Sequence, residues 1–231
     1  MPVDIYAKSP SDYLEPEEVR LFNLINQYRQ TKNLPIVAAS KALTIVANRH
    51  VRDVAENLKL TVADRDKSGH SWSWGAFESS NPTSWPNMWD APQRLKTGYP
   101  GKGYENFYMT TAKVATPEMA LKGWQNSLLH RQVILNEWIW EKISWNALGV
   151  ALYKGYASMW FGAEVDPTGK PQIRSSAVPA FSFDENPQPW DETVLNNQPY
   201  TIMLDMANQE VKGKTADESF VMPLSILPLS F

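Results

Sequence analysis

The stretch SKALTIVANRHVRDVAENL, residues 40–58, carries the strongest periodic signal in the chain. Leu43, Val46, Ala47, His50, Val51, Val54, Ala55 and Leu58 recur at helical intervals, and Ser40 stands where an N-cap is wanted. The spacing predicts one helix through Leu58, buried along a single side. Upstream, Pro16 followed by Glu17 and Glu18 reads as a helix start, because proline suits the first helical position and acids suit the positive end of the dipole. Leu21, Phe22, Ile25 and Tyr28 give that helix its apolar face, and Pro35 pushes Leu34 out of helical geometry.

Downstream, residues 61–103 lose periodicity among Trp, Pro, Ser and Gly, apart from a predicted short helix over Ala91–Lys96. A loop of that length points to function or to well-packed irregular structure. Thr116-Pro117-Glu118 opens a predicted third helix carrying Met119, Ala120, Gly123, Trp124, Ser127, Leu128 and Arg131. Two strand-like runs follow, Ala147–Tyr153 and Ala157–Glu164, joined by Lys154-Gly155-Tyr156, which suits an antiparallel hairpin. Helices with late strands predict an α+β sandwich.

The predicted domain covers residues 1–166. Eight of the 17 prolines fall in residues 167–231, which marks a C-terminal extension of different character. Within it Tyr200, Ile202, Leu204 and Met206 alternate with polar or opposite-facing residues, predicting a small β-hairpin with Val211–Lys214 and a third strand at Phe220–Met222.

Composition is that of a globular chain: 43% hydrophobic, 20% charged, net charge -3. Neither disorder nor a basic nucleic-acid footprint is indicated, so nucleic-acid partners are not expected. No apolar run reaches the roughly 18 to 20 residues of a transmembrane helix, and Met1-Pro2-Val3-Asp4 does not begin like a signal peptide. The absence of cysteine excludes disulfides, thiolate metal sites and cysteine nucleophiles.

Imidazole chemistry must come from His50, His70 and His130. His50 reads as a hydrogen-bonded core histidine, since it lies in the apolar stripe. His70 sits in Ser68-Gly69-His70-Ser71-Trp72, in an irregular segment of the kind that often carries function. Ser127 and His130, three apart on the predicted third helix, would share a surface. Asp64-Arg65-Asp66-Lys67-Ser68-Gly69 opens like a calcium loop, but its twelfth position is Gly75, so a polar turn is expected. Trp72, Trp74, Trp85 and Trp89 cluster between His70 and Glu105 and could offer an aromatic platform for a sugar, peptide or lipid; buried packing accounts for them equally well. Trp138, Trp140 and Trp145 are expected to close the core.

The ordered residues resemble the bacterial branch of the CAP superfamily, the cysteine-rich secretory, antigen 5 and pathogenesis-related proteins. Leu21–Arg29 and Leu43–Ala55 are similar to its opening helices, and His70-Ser71 to its first cavity histidine. Gly103-Tyr104-Glu105-Asn106 resembles its Gly-Glu-Asn motif with one residue inserted, and Trp124–Arg131 its Trp-x-x-Ser-x-x-His-Arg motif. Leu148-Gly149-Val150 and Met159–Gly162 look like its closing strands. The resemblance implies a three-layer α/β/α sandwich and an extracellular or envelope location. It also implies a groove where His70, Glu105 and His130 hold zinc or another divalent cation. Ser127 stands where many members have glutamate, which removes a charge. Two neutral imidazoles and one carboxylate, with water completing a tetrahedron, are an acceptable zinc set; a hydrogen-bonded polar groove without metal is the alternative.

The expected function is therefore a binding or effector module whose ligand is a small molecule, glycan, lipid or protein. The alternative is a hydrolase, using metal-activated water with Glu105 as base or Ser127 with His130 as a nucleophile pair. Neither a Gly-x-Ser-x-Gly elbow nor a His-Glu-x-x-His helix supports it. A structural, envelope-associated role is a third possibility that the proline-rich extension permits.

Overall fold

A computed structural model describes residues 2–9, 12–64 and 67–174. The hairpin expected around Tyr200–Met206 and Val211–Lys214 lies outside them, as does the strand expected at Phe220–Met222.

Helix α1 (Pro16–Gln30) starts at its proline, and a capping box between Glu15 and Glu18 satisfies backbone N–H groups on both sides. Helix α2 (Lys41–Arg52) is capped by Ser40, whose Oγ accepts the Leu43 N–H at 3.0 Å. Asp166 reinforces that start by accepting from Ser40 Oγ (2.6 Å) and the Ala42 N–H (2.8 Å). The regular helix does not run to Leu58: after Arg52 the backbone widens into a π-helical turn, Asp53–Leu58, which ends at Lys59 with φ 54°. Two one-turn helices follow, α3 (Pro86–Trp89) and α4 (Ala91–Arg94). Thr116 caps α5 (Pro117–Asn126), as its sequence predicts. The predicted third helix does not continue through Ser127. That residue is extended (φ -90°, ψ 118°), and a separate helix α6 (Leu128–Ile134) begins after it.

Three strands make one antiparallel sheet in the order β1-β3-β2: β1 (Tyr104–Met109), β2 (Ala147–Tyr153) and β3 (Tyr156–Gly162). The β2–β3 hairpin matches the sequence reading. β1 was not expected, because Glu105 and Asn106 interrupt any apolar alternation. Both are nevertheless buried, at 5% and 0% exposure, since the strand is covered on both faces.

Alternation along the strands sends side chains into two cores. On one face Tyr104, Tyr108, Leu148, Val150 and Phe161 pack with Leu21, Phe22 and Ile25 of α1 and Leu121 and Trp124 of α5. On the other, Phe107, Ala147, Ala151 and Trp160 pack with Val46, Ala47, Val51 and Val54. The result is the expected α/β/α sandwich. The second layer sits tight against the sheet at Gly149, where a Cβ would collide with the Leu43 carbonyl carbon and the Thr44 amide nitrogen.

The outer edge of β2 is closed by backbone and by a carboxylate. Leu148 donates to the Ala38 carbonyl, Ser40 donates to that of Leu148, and the Leu152 N–H donates to Glu18 Oε1 at 2.8 Å. Burial drives the Glu18 carboxyl up to about 7 against these hydrogen bonds and the nearby Arg52 charge. Residues 168–174 run along the same region: the Lys41 N–H donates to the Gly169 carbonyl, and Leu14 bonds to both Gln172 and Arg174.

Gly149→Ala should destabilise the fold by roughly 2 kcal/mol or more, because helix backbone rather than a flexible side chain occupies the space; the urea midpoint measures it. Glu18 binds its proton more tightly folded than unfolded. Its contribution is therefore full below about pH 4.3 and is lost as pH rises towards about 7. Glu18→Gln should remove that decline from the pH profile of stability, and an unchanged slope would contradict the assignment.

Candidate functional site

Strand β1 turns Glu105 towards α2, where it lies opposite Trp160 of β3 and near Ser158. His50, on the sheet-facing side of α2, is fully buried beneath it. The loop carrying His70 lies directly on Phe107, an approach that only Gly69 allows, since a Cβ there would enter the Phe107 ring.

Hydrogen-bond direction can be followed atom by atom. Trp160 Nε1–H can only donate, and it donates to Ser158 Oγ at 2.8 Å; the Ser158 hydroxyl then donates to Glu105 Oε1 at 2.5 Å. The Ser71 carbonyl can only accept, so His50 Nε2 carries a proton and donates to it at 3.0 Å. His50 Nδ1 lies 2.5 Å from Glu105 Oε1, and His70 Nδ1 lies 2.9 Å from Glu105 Oε2. This arrangement suits an ionised Glu105 with three donors and a His50 that donates from both nitrogens. The electrostatics agree. Burial alone would raise the Glu105 carboxyl, but the charge of His50 and the hydrogen bonds of His50 and His70 hold it at about 2. Burial would lower His50, and its bonds and charge contact with Glu105 raise it instead.

His70 is the outward member of this chain. Its side chain keeps 22% exposure, its ring meets Phe77 edge-on at 5.4 Å, and its centroid is 6.4 Å from that of His130. Its Nδ1 faces Glu105, and its Nε2 makes no hydrogen bond to the described residues. His130 is half-buried at the start of α6, whose first turn is pinned where Asn106 Nδ2 donates to the His130 carbonyl at 2.8 Å. Burial, aided by His70, lowers His130 to about 3, so it is neutral at physiological pH. The groove floor therefore offers two imidazole rings, with His130 neutral, above the paired Glu105 and His50.

The structure brings His70, Glu105 and His130 together, as the sequence reading requires, but divides their roles differently. Both Glu105 oxygens are engaged, and it orients the His70 ring. Among the described residues no group of three or more His, Asp or Glu side chains is arranged to hold a metal ion. Two imidazoles on one tetrahedral zinc ion would bring their centroids to about 5 Å, closer than the 6.4 Å found. Ser127 ends α5 and is the N-cap residue of α6, three positions before His130, and no hydrogen bond joins its Oγ to the His130 ring. Trp72 and Trp85 are buried, at 2% and 5% exposure, and belong to the packing rather than to an accessible platform. Trp72 is stacked between His50 (4.3 Å) and Trp74 (4.1 Å). Trp138, expected in the core, is 47% exposed. Asp64 forms a polar turn by accepting from the Thr61 N–H and hydroxyl, while Arg65 and Asp66 lie outside the described residues.

Sequence reasoning rightly placed His50 in the core and missed what it holds. The signal was available: a buried imidazole needs partners for both nitrogens, and few buried polar groups are within its reach. Ser158, inside an apolar strand pattern, carried no such signal.

A model of the CAP cysteine-rich secretory protein family matches residues 22–157. Among solved structures, the chain is similar to an extracellular protein containing an SCP domain from Bacillus anthracis (25% identity, TM-score 0.48, covering 64% of this chain and 40% of that one). It is similar also to a cysteine-rich secretory protein from Staphylococcus aureus (15%, 0.42, 64% and 38%) and to an outer surface protein from Borrelia burgdorferi (15%, 0.43, 66% and 97%). The chain thus spans about two fifths of the length of the first two. No curated protein matches it.

Glu105→Gln leaves His50 as a buried cation without its counter-ion, a change that costs about 3–5 kcal/mol and is measurable by urea denaturation. The contribution of Glu105 is present above its unfolded value of about 4.3 and is lost as pH falls through about 2; that of His50 is full below about 6.5 and is lost as pH rises through its raised folded value. The stability difference between wild type and variant should therefore be largest between about pH 4.5 and 6.5. A difference that stays flat down to pH 2 would reject the ion pair.

Proposed function

The chain belongs to the CAP family of cysteine-rich secretory proteins, and from the chemistry of its groove we propose that it is a non-enzymatic binding module acting outside the cytoplasm. The location follows the family's secretory description. One observation carries the binding reading: Glu105 is buried, and both its oxygens are engaged, Oε1 by His50 and Ser158 and Oε2 by His70. It fixes a ring instead of serving as a base. His70 Nε2 and the neutral His130 then act as hydrogen-bonding contacts for a polar group of the ligand, with Phe77 as an apolar neighbour. A divalent cation would find two imidazole donors here and no carboxylate free to join them, so no step is assigned to one.

Three measurements test this. Turnover of nitrophenyl esters, casein or peptidoglycan should not exceed background, and activity abolished by Ser127→Ala or Glu105→Gln would replace binding with hydrolysis. Zinc titrated into the purified chain should show no stoichiometric micromolar binding; such binding, lost in His70→Ala, would restore the metal reading. Amide chemical shifts at His70, Phe77 and His130 should respond to a panel of soluble glycans, peptides and short-chain lipids, and no response to any would count against the groove.

A further inference from the structure

Trp138, whose sequence places it in the core, is held out of it. It opens a short 3-10 turn, Trp138–Trp140, with φ 58°. A bulky side chain adopts that left-handed backbone only where its surroundings enforce it, at a cost of about 1–3 kcal/mol. The enforcement comes from inside. Arg29, buried in α1, donates to the Ile134 carbonyl and, at 2.7 Å, to Asn136 Oδ1. Asn136, itself at φ 52°, donates from Nδ2 to the Ile143 carbonyl at 2.7 Å. The turn after α6 is thus fixed, and it presents an indole that is 47% exposed. Two more exposed apolar side chains stand nearby. Leu128 (55%) and Leu129 (60%) lie one turn before Gln132, whose carbonyl accepts the N–H of Glu137, the residue before Trp138.

We propose that Leu128, Leu129 and Trp138 form a docking surface for the chain's own apolar segment Phe220–Phe231, FVMPLSILPLSF. None of its twelve residues is charged, and eight are Phe, Val, Met, Leu or Ile. Covering a large apolar side chain is worth roughly 1.5–3 kcal/mol, so segment and surface both gain by meeting. Tryptophan is also among the residue types that most often anchor an interface. The size of the surface favours a tethered occupant over a separate molecule. Three side chains fall well short of the roughly 800 Å² per partner that a stable complex buries, whereas a segment of the same chain docks at a raised local concentration. The tether permits it. Arg174 is paired with Glu15 at 2.8 Å, and the 46 positions from there to Phe220 (220 - 174) can extend by up to about 3.3 Å each, enough to reach any face of the domain. Nothing in this depends on what the groove binds.

The chain has no cysteine, so Ser219→Cys carries a nitroxide spin label at one place, on the edge of the segment. In the full chain that label should remove most of the NMR intensity of the Leu128 and Leu129 amides and the Trp138 indole. It should spare Val114, which is 60% exposed and lies beside the β2–β3 turn, where Ala115 donates to the Lys154 carbonyl. Ile226→Asp with Leu227→Asp, and separately Leu129→Asp with Trp138→Asp, should each restore the lost intensity. The first pair changes only the segment, so it decides the matter even if the second disturbs the fold. Undiminished signals at all three positions, or an equal loss at Val114, would overturn the proposal, as would a loss that persists in Ile226→Asp with Leu227→Asp. Spin-labelled chains mixed with separate nitrogen-15 chains should leave the signals intact; a loss in that mixture would make a second copy the occupant and overturn the assignment to the chain's own segment.

Discussion

A buried ion pair, His50 with Glu105, sits at the junction of every part of this molecule that bears on function. It lies between the α2 layer and the sheet, and it joins a helix, the edge strand β1, the neighbouring strand through Ser158, and the loop that presents His70. Burying two charges is expensive, and a pair of this kind is commonly neutral or unfavourable for stability against an apolar replacement. Its persistence at the centre of the sandwich is best understood through what it specifies. Four hydrogen bonds with fixed partners hold the outward ring against Glu105 and tie its loop to α2, which apolar packing could not do.

The sheet faces explain why the pair can exist there. Strand β1 is covered on both sides, so Glu105 and Asn106 are enclosed although each is polar. Each is used to tie elements together: Glu105 holds α2 and the His70 loop, and Asn106 holds the first turn of α6 and with it His130. Close approach at Gly149 draws α2 against the sheet, and this brings His50 within reach of a carboxylate on a strand two positions away in the sheet. The helix position that looks purely apolar in sequence is thus set by backbone contact and read out as hydrogen bonding.

Much of this was legible in the residues, and the failures share a cause. Helix starts at Pro16, Ser40 and Thr116 and the β2–β3 hairpin depend on local signals, namely caps, prolines and a short glycine-containing turn, and they were read correctly. Strand β1, the π-helical turn after Arg52 and the break at Ser127 depend on tertiary contacts. A strand buried on both faces with polar residues inside has no two-residue alternation to detect, and a helix that yields at one serine shows unbroken periodicity across it. The groove trio was found by its motifs, whereas the division of labour within it was not, because spacing says which residues converge and nothing about which atoms are already occupied. His50 illustrates this most sharply: burial was evident from its stripe, and its partner 55 residues away was not.

Placing the charges beneath the groove also shapes what the groove can recognise. The ionised carboxylate is neutralised from below, so the surface above it does not carry a net negative charge that would repel acidic ligands. His130, kept neutral by burial and by its neighbour, adds no positive charge that would attract them. In the binding role we propose, discrimination comes from contacts at His70 and from the apolar edge at Phe77, interactions of short range that reward a ligand shaped to the cleft. A single carboxylate left unpaired would have made the same cleft a generic cation trap. Pairing it internally converts the charge into geometry, because the carboxylate is spent on joining α2, β3 and the loop that carries His70.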